Sequence, residues 1–120
     1  MLKELVKQLK NDPNIIGAYL FGSHGTEKET PLSDIDICLF TKTFDKKSIL
    51  NFYSYGTEKI DISIFNLLPV YIKPEVFKGK PLFIKNNNFI NKQFASSFRE
   101  FQDFKPFYDR YIKRLKRRFR

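Results

Sequence analysis

Three aspartates stand out because each lies in a segment otherwise typical of a strand. Asp34 and Asp36 are two residues apart in the run SDIDI, and Asp61 lies in the run IDI. Alternate residues of a strand share a face about 7 Å apart, so Asp34 and Asp36 point the same way and Asp61 can join them from a neighbouring strand. Three converging carboxylates repel one another. A hard divalent cation such as Mg²⁺ relieves that repulsion through oxygen ligands.

A glycine and a serine upstream add a second chemical feature. Gly22 and Ser23 directly follow an apolar run of strand length, residues 15–21. Backbone N–H groups and a hydroxyl at such a turn can hold phosphate oxygens, and glycine permits their close approach. Each motif alone is weak, because an Asp-x-Asp pair more often marks only the solvated face of a strand. Their combined spacing predicts metal-dependent phosphoryl or nucleotidyl transfer.

The elements that must position these residues follow from hydropathy patterns. Periodicity and alternation predict helices over 1–11, 45–53 and 69–77, strands over 15–21, 34–40 and 59–65, and a short edge strand over 81–84. The second helix should be capped by Thr43 or Asp45 and ended by Gly56. From Ile90 to Phe119, apolar residues recur every three or four positions, which predicts a long helix that Pro106 should kink or restart.

The net charge of +9 is concentrated at the C-terminus. Residues 105–120 hold eight basic side chains and only Asp109 as an acid, whereas the rest of the chain is nearly balanced. We therefore predict one domain over 1–104, a basic helical extension over 105–120 that is solvated or faces a partner, and no direct nucleic-acid substrate. One cysteine excludes an internal disulfide and a multi-cysteine zinc site. No apolar run approaches the length of a membrane span, so we expect a cytoplasmic protein without membrane attachment.

The block from Phe21 to Asp36, followed by Asp61, resembles the DNA polymerase beta-type nucleotidyltransferase superfamily. Its signature is Gly-Ser, a spacer, Asp-x-Asp and a later carboxylate. More narrowly, the chain is similar to the minimal nucleotidyltransferase (MNT) antitoxins that accompany HEPN-domain toxins. The softer segments of that narrower match are NLLP at 66–69, EVFKGK at 75–80 and DFKP at 103–106. The resemblance implies an α/β (α+β) fold: a small mixed β-sheet flanked by helices, with a long C-terminal helix and the site at one end of the sheet.

The same resemblance implies roles for individual residues. Asp34 and Asp36 would hold both ions of a two-Mg²⁺ site, and Asp61 would bind the catalytic metal and act as general base. Nucleotide binding would fall to the serine and glycine positions Gly22, Ser23 and Ser33. Relatives often read Gly-Ser-x-Ala-Arg-Gly where this chain has GSHGTE, so Thr26 replaces a phosphate-facing arginine. A cation from His24, Lys28 or a partner could take its place.

The resemblance also implies a substrate. MNT antitoxins transfer AMP from ATP to a tyrosine of the cognate HEPN ribonuclease toxin, and we expect this chain, which is too short to hold an acceptor-binding domain, to do the same in a homo- or hetero-oligomer. Two alternatives remain at this point. The chain could neutralise a toxin by contact alone, without transfer, or it could bind nucleic acid through its basic C-terminus, in which case affinity would fall steeply with salt.

Overall fold

A computed structural model of the chain describes residues 2–22 and 35–118. Its elements are, in order, α1 (Leu2–Asn11), β1 (Ile15–Phe21), β2 (Ile35–Thr41), α2 (Lys46–Tyr53), β3 (Ile60–Ile64), a 3-10 turn (Phe65–Leu67), α3 (Lys73–Phe77), β4 (Lys80–Ile84) and α4 (Asn87–Arg118). The predicted α/β (α+β) architecture, with a small sheet, flanking helices and a long C-terminal helix, is confirmed. No helix within the described residues is both long enough and apolar enough to span a bilayer.

The four strands form one mixed sheet in the order β3-β2-β1-β4. β1 pairs antiparallel with β2 and with β4. β2 and β3 are parallel. A parallel pair needs a crossover connection, which α2 supplies between β2 and β3. β4 lies at an edge, as its short apolar run predicted.

Each face of the sheet is covered by its own hydrophobic core. Alternation along β2 sends Ile37 and Leu39 to one face, where the helices α1 and α2 pack with residues such as Leu9 and Phe52. Cys38 and Phe40 point to the opposite face, which α3, α4 and the 3-10 turn cover with Phe65, Val76, Ile90 and Phe94. The aromatic rings of Phe40 and Phe65 stack there with centroids 4.5 Å apart. Both faces are therefore closed over the middle of the sheet.

The ends of α2 show which of the two predicted caps is used. Asp45 is the N-cap, and its carboxylate accepts a hydrogen bond from the Ser48 backbone N–H at 2.9 Å. That bond is the main reason the pKa of Asp45 lies below its usual value. The helix ends at Tyr53 with Ser54 as C-cap, two residues before the predicted stop at Gly56.

The third helix is shorter than predicted. α3 spans only Lys73–Phe77, so the prediction of a helix from Pro69 is wrong for its first four residues. Pro74 has no N–H to donate to a carbonyl four residues earlier, so a helix cannot pass through it from Pro69 without losing a hydrogen bond. Pro74 instead lies in the first turn of α3, where a missing N–H costs little. Residues 69–72 form a turn that Ile72 closes by donating its N–H to the Pro69 carbonyl at 2.9 Å.

The long helix α4 continues through Pro106 without a break, so Pro106 does not restart it. Only its first part is buried on the sheet, through Ile90, Phe94 and Ser97. Ser97, rather than the exposed Phe98, faces inward. The predicted boundary between the domain (1–104) and the basic extension (105–120) stays a prediction. Helix α4 is continuous across that position. The basic side chains from 105 to 118 are exposed.

A polar contact between distant segments fixes the loop that leads into β3. The Tyr55 hydroxyl donates to the Asp12 carboxylate at 2.9 Å, and Lys85 Nζ donates to the Asp12 carbonyl at 2.8 Å. Burial first, and then the hydrogen bond and charge of Asp12, raise the pKa of Tyr55 to about 12. The neutral phenol is therefore the form that stabilises the fold.

We expect Tyr55→Phe to lower the free energy of unfolding by about 1 kcal/mol at pH 7, the usual value of one hydrogen bond. Because the folded pKa of Tyr55 is raised, its stabilisation is full below the ordinary tyrosine pKa and is lost as the pH rises through about 12. Urea unfolding at pH 7 and pH 11 should show the difference between wild type and variant shrinking at the higher pH. Tyr53→Phe, at an exposed ring, is the control, and equal stability of wild type and Tyr55→Phe at pH 7 would contradict the assignment.

Candidate active site

The register between β2 and β3 places two of the three aspartates side by side. Asp36 on β2 pairs with Asp61 on β3 in the parallel ladder. Register partners in neighbouring strands lie about 4.8 Å apart and point to the same face. Asp36 is half-buried and Asp61 is exposed, so the pair opens to solvent at the end where β2 and β3 begin. The structure thus brings together two carboxylates that are 25 residues apart in sequence.

Gly22 lies directly against this pair. It follows β1, whose last residue Phe21 pairs with Asp36 in the antiparallel ladder. Its φ of 82° lies in the left-handed region that favours glycine. A Cβ added at Gly22 would lie 2.6 Å from Asp36 Oδ2. Glycine is therefore required for both the turn and the close approach of backbone to carboxylate.

Several of the predicted site residues lie outside the described residues: Ser23, Ser33 and Asp34, together with His24, Thr26 and Lys28 of the altered loop. Of the six predicted site residues, Gly22, Asp36 and Asp61 are placed, and all three meet at one end of the sheet. The roles given to the six residues stay predictions.

The next pair along the same two strands forms the buried side of the site. Cys38 pairs with Ser63 in the parallel ladder, one repeat inward from the aspartates. Cys38 is fully buried, and burial raises the pKa of its thiol well above the usual value even though the charge of Lys73 acts to lower it. A thiol in that state is a packing residue rather than a nucleophile.

Lys73 is a feature that sequence analysis missed. Within the described residues it is the one charged side chain among the buried positions. Its Nζ lies 3.5 Å from Glu100 Oε2 and 5.4 Å from the centroid of the Phe65 ring. Among 22 basic residues no spacing singled it out.

The donor set suits a hard cation. Asp36 and Asp61 offer carboxylate oxygens, the ligands that Mg²⁺ prefers. Residues 2–22 and 35–118 contain no cluster of three or more potential metal ligands. The predicted third donor, Asp34, belongs to the part outside them. Two carboxylates in register therefore fit a divalent cation, with Asp34 as the expected third ligand.

Gly22→Ala should harm both the fold and the site, because a Cβ there meets Asp36 Oδ2 and the backbone keeps a positive φ. A non-glycine residue in that region costs about 1–2 kcal/mol. We expect a lower melting temperature, measured by thermal denaturation. We also expect a lower affinity for a nucleoside triphosphate, measured by isothermal titration calorimetry.

Gly56→Ala is the matched control, because its φ is not positive; its Cβ would lie 3.1 Å from the Ile60 carbonyl oxygen, so a small loss of stability is expected there too. It should keep nucleotide binding. If Gly22→Ala kept both the stability and the nucleotide affinity of the wild type, the close approach of Gly22 to Asp36 would be needed for neither folding nor nucleotide binding, and the prediction would be contradicted.

The sequence is similar to a known protein family and to a named archaeal protein. The family model described as "Polymerase beta, Nucleotidyltransferase" matches residues 3–88. A protein of Methanocaldococcus jannaschii with the provisional name protein adenylyltransferase is 40% identical over 65 residues. That alignment covers 54% of this chain and 52% of the relative, so the chain spans about half the length of the relative that it matches.

The fold was compared with solved structures. A chain from a crystal structure described as a toxin–antitoxin with AMP-PNP superposes with a TM-score of 0.77 at 17% identity, covering 97% of this chain and 99% of that one. A chain from the tri-AMPylated HEPN toxin of Shewanella oneidensis in complex with its MNT antitoxin gives a TM-score of 0.71 at 17% identity, with the same coverage. At this identity the likeness shows a shared fold.

Proposed function

Since the chain belongs to the polymerase beta nucleotidyltransferase family, we propose that it is a Mg²⁺-dependent antitoxin that transfers AMP from ATP to a tyrosine of a HEPN-type toxin. The observation that carries the proposal is the pairing of Asp36 with Asp61 beside Gly22. The name of the archaeal relative supports protein adenylylation as the reaction. The toxin–antitoxin complexes among the fold neighbours support the class of partner and the adenine nucleotide.

The proposed reaction joins the acceptor oxygen to the α-phosphorus of ATP. The bond between the α-phosphorus and the bridging oxygen breaks, and pyrophosphate leaves. Asp34 and Asp36 would hold two Mg²⁺ ions, with Asp61 as a ligand of one of them. When bound, these ions neutralise phosphate charge and activate the attacking and leaving oxygens.

The chain's own residues would accept the proton and bind the triphosphate. Asp61, exposed at the strand end, can accept the proton of the attacking hydroxyl as general base. Gly22 brings backbone close to the Asp36 carboxylate, and with Ser23 and Ser33 it would hold the triphosphate. The closed core beneath, which begins at Cys38, limits the nucleotide to the outer edge of the sheet.

The aromatic rings that Tyr71 stacks on along α4 favour a protein as the acceptor over a nucleic acid. Tyr71 stacks on both Phe104 and Tyr108, with ring centroids 6.3 and 6.1 Å away. Rings stacked on one another leave less of their faces for nucleic-acid bases. The basic stretch from 105 to 118 would attract an acidic protein surface and steer its approach.

We propose that the protein forms a hetero-oligomer with the toxin. We place this complex in the cytoplasm, where ATP is available as the nucleotide donor and the free thiol of Cys38 stays reduced.

The transfer can be tested on the partner directly. The protein is incubated with ATP, Mg²⁺ and a HEPN-type toxin encoded beside it, and the intact mass of the toxin is measured. We expect the toxin to gain the mass of one or more AMP units, located on a tyrosine by peptide sequencing. Asp36→Asn and Asp61→Asn should each lower the rate at least 100-fold, because each removes a charge at the reacting centre. Asp103→Asn, at an exposed position on α4, should keep the wild-type rate.

A toxin of unchanged mass with the wild-type protein would contradict the proposal. Neutralisation of the toxin in cells separates transfer from contact. It should fail with Asp36→Asn if AMP transfer is required, and its persistence would favour inhibition by binding alone.

A further inference from the structure

The apolar face of helix α4 extends beyond the sheet that it covers. Near the start of the helix, Ile90, Phe94 and Ser97 are buried against the sheet. A helix turns by about 100° per residue, so further apolar residues along α4 point within about 60° of the direction of Ile90. We call this second set the α4 stripe, and its members are Phe101, Phe104, Tyr108, Tyr111, Ile112 and Leu115. The α4 stripe therefore continues the face that packs on the sheet.

The outer part of the α4 stripe is exposed. Tyr71, in the turn before α3, stacks on Phe104 and Tyr108 near the middle of the stripe. Past this stack, Tyr111 is 58% exposed, and residues 109–118 continue the helix for about 15 Å. The stacked rings restrain one another, which lowers the entropy cost of binding a partner. A continuous exposed apolar surface with polar borders marks an interaction site.

Basic side chains border the α4 stripe on both sides. By the same helical geometry, Lys105 and Lys116 lie along one edge of the stripe, and Arg114 and Arg118 lie along the other. Residues 105–118 hold seven basic side chains and only Asp109 as an acid. All seven basic side chains are exposed. Carboxylates on a partner can therefore pair with both edges while its apolar side chains cover the stripe.

The end of the stripe offers a place for such a carboxylate. An open cavity of about 460 Å³ is lined by Tyr111, Leu115, Arg114, Arg117 and Arg118. A guanidinium group can bind a carboxylate through two parallel hydrogen bonds. Tyrosine and arginine are also the residues that most often contribute strongly to binding at protein interfaces.

The charge of the borders indicates which partner binds the stripe. A second copy of this chain would bring seven more basic side chains to the same surface, and like charges across an interface repel one another. A nucleic-acid backbone could pair with the borders, but it would leave the aliphatic Ile112 and Leu115 uncovered. An amphipathic helix with acidic borders matches both the apolar stripe and its basic edges.

We propose that the α4 stripe binds an amphipathic, acid-bordered helix of the toxin. This inference rests on the proposed function and goes beyond it by naming the surface that holds the acceptor protein. The stripe takes no part in the chemistry at Asp36 and Asp61. It raises the local concentration of the acceptor around the site, because a toxin bound there cannot diffuse away.

Tyr111→Glu tests the stripe itself, because it places a carboxylate where the acidic helix would bind. We expect its affinity for the HEPN-type toxin encoded beside this chain to fall at least 10-fold, measured by calorimetry without nucleotide. The KM for the toxin in AMP transfer should rise, while kcat, the affinity for AMP-PNP and the melting temperature stay as in the wild type. Leu50→Glu is the matched control, because Leu50 is a 73% exposed apolar residue on α2. It should bind the toxin with wild-type affinity.

Reversing the charge of one border tests the acidic nature of the partner. The double variant Arg114→Glu with Arg118→Glu should bind the toxin more weakly than the wild type at low salt. The difference should shrink at high salt, since salt screens exposed charges. Lys92→Glu, at an exposed position in the first part of α4, is the control and should keep wild-type affinity.

Wild-type toxin affinity in Tyr111→Glu would overturn the inference, and continued AMP transfer to the toxin would leave the proposed function intact. Two other partners would also overturn it. One is a second copy, shown by a dimer of the wild type that Tyr111→Glu dissociates. The other is a membrane surface, shown by binding to phosphatidylserine vesicles that Tyr111→Glu abolishes while toxin binding persists. A toxin that binds the stripe and gains no AMP would support the docking surface and contradict the proposed function.

Discussion

The parallel pairing of β2 with β3 is the constraint on which the rest of the structure depends. It sets Asp36 opposite Asp61, and a shift of one residue would turn one of the two carboxylates to the other face of the sheet. Isoleucines flank both aspartates and fix the register, because Ile37, Ile60 and Ile62 are buried in the core beneath α1 and α2. Burial of these isoleucines therefore offsets the repulsion between two adjacent carboxylates.

The two faces of the sheet have different tasks. The face under α1 and α2 is mainly apolar and anchors the strands. The opposite face is apolar in its middle and acidic at the end where β2 and β3 begin. The exposed Asp61 lies at that end, where a ligand can reach it. α4 completes this face with its first turns and presents its basic second half to solvent.

Local patterns predicted most of the fold, and three of the six predicted site residues, Gly22, Asp36 and Asp61, lie together at one end of the sheet. Strict alternation in β2 and β3 predicted both strands to within one residue of their bounds, and it predicted the shared face of Asp36 and Asp61, since one side had to be buried. The start of α3 was predicted wrongly, because the preference of Pro69 for a first turn competes with the missing N–H of Pro74. The contacts of Lys73 with Glu100, and of Tyr55 with Asp12, join residues 27 and 43 positions apart. Partners at such distances leave no periodic signal in the sequence.

The central claim is that Asp36, Asp61 and Gly22 form one divalent-cation and nucleotide site at this end of the sheet. Mn²⁺ substitutes for Mg²⁺ at oxygen ligands and broadens the NMR signals of nearby nuclei. In an amide spectrum of the protein with AMP-PNP, Mn²⁺ should broaden the signals of Gly22, Asp36 and Asp61 and leave those of residues 105–118 sharp. Sharp signals at the two aspartates, or broadening confined to the C-terminal half of α4, would contradict the claim.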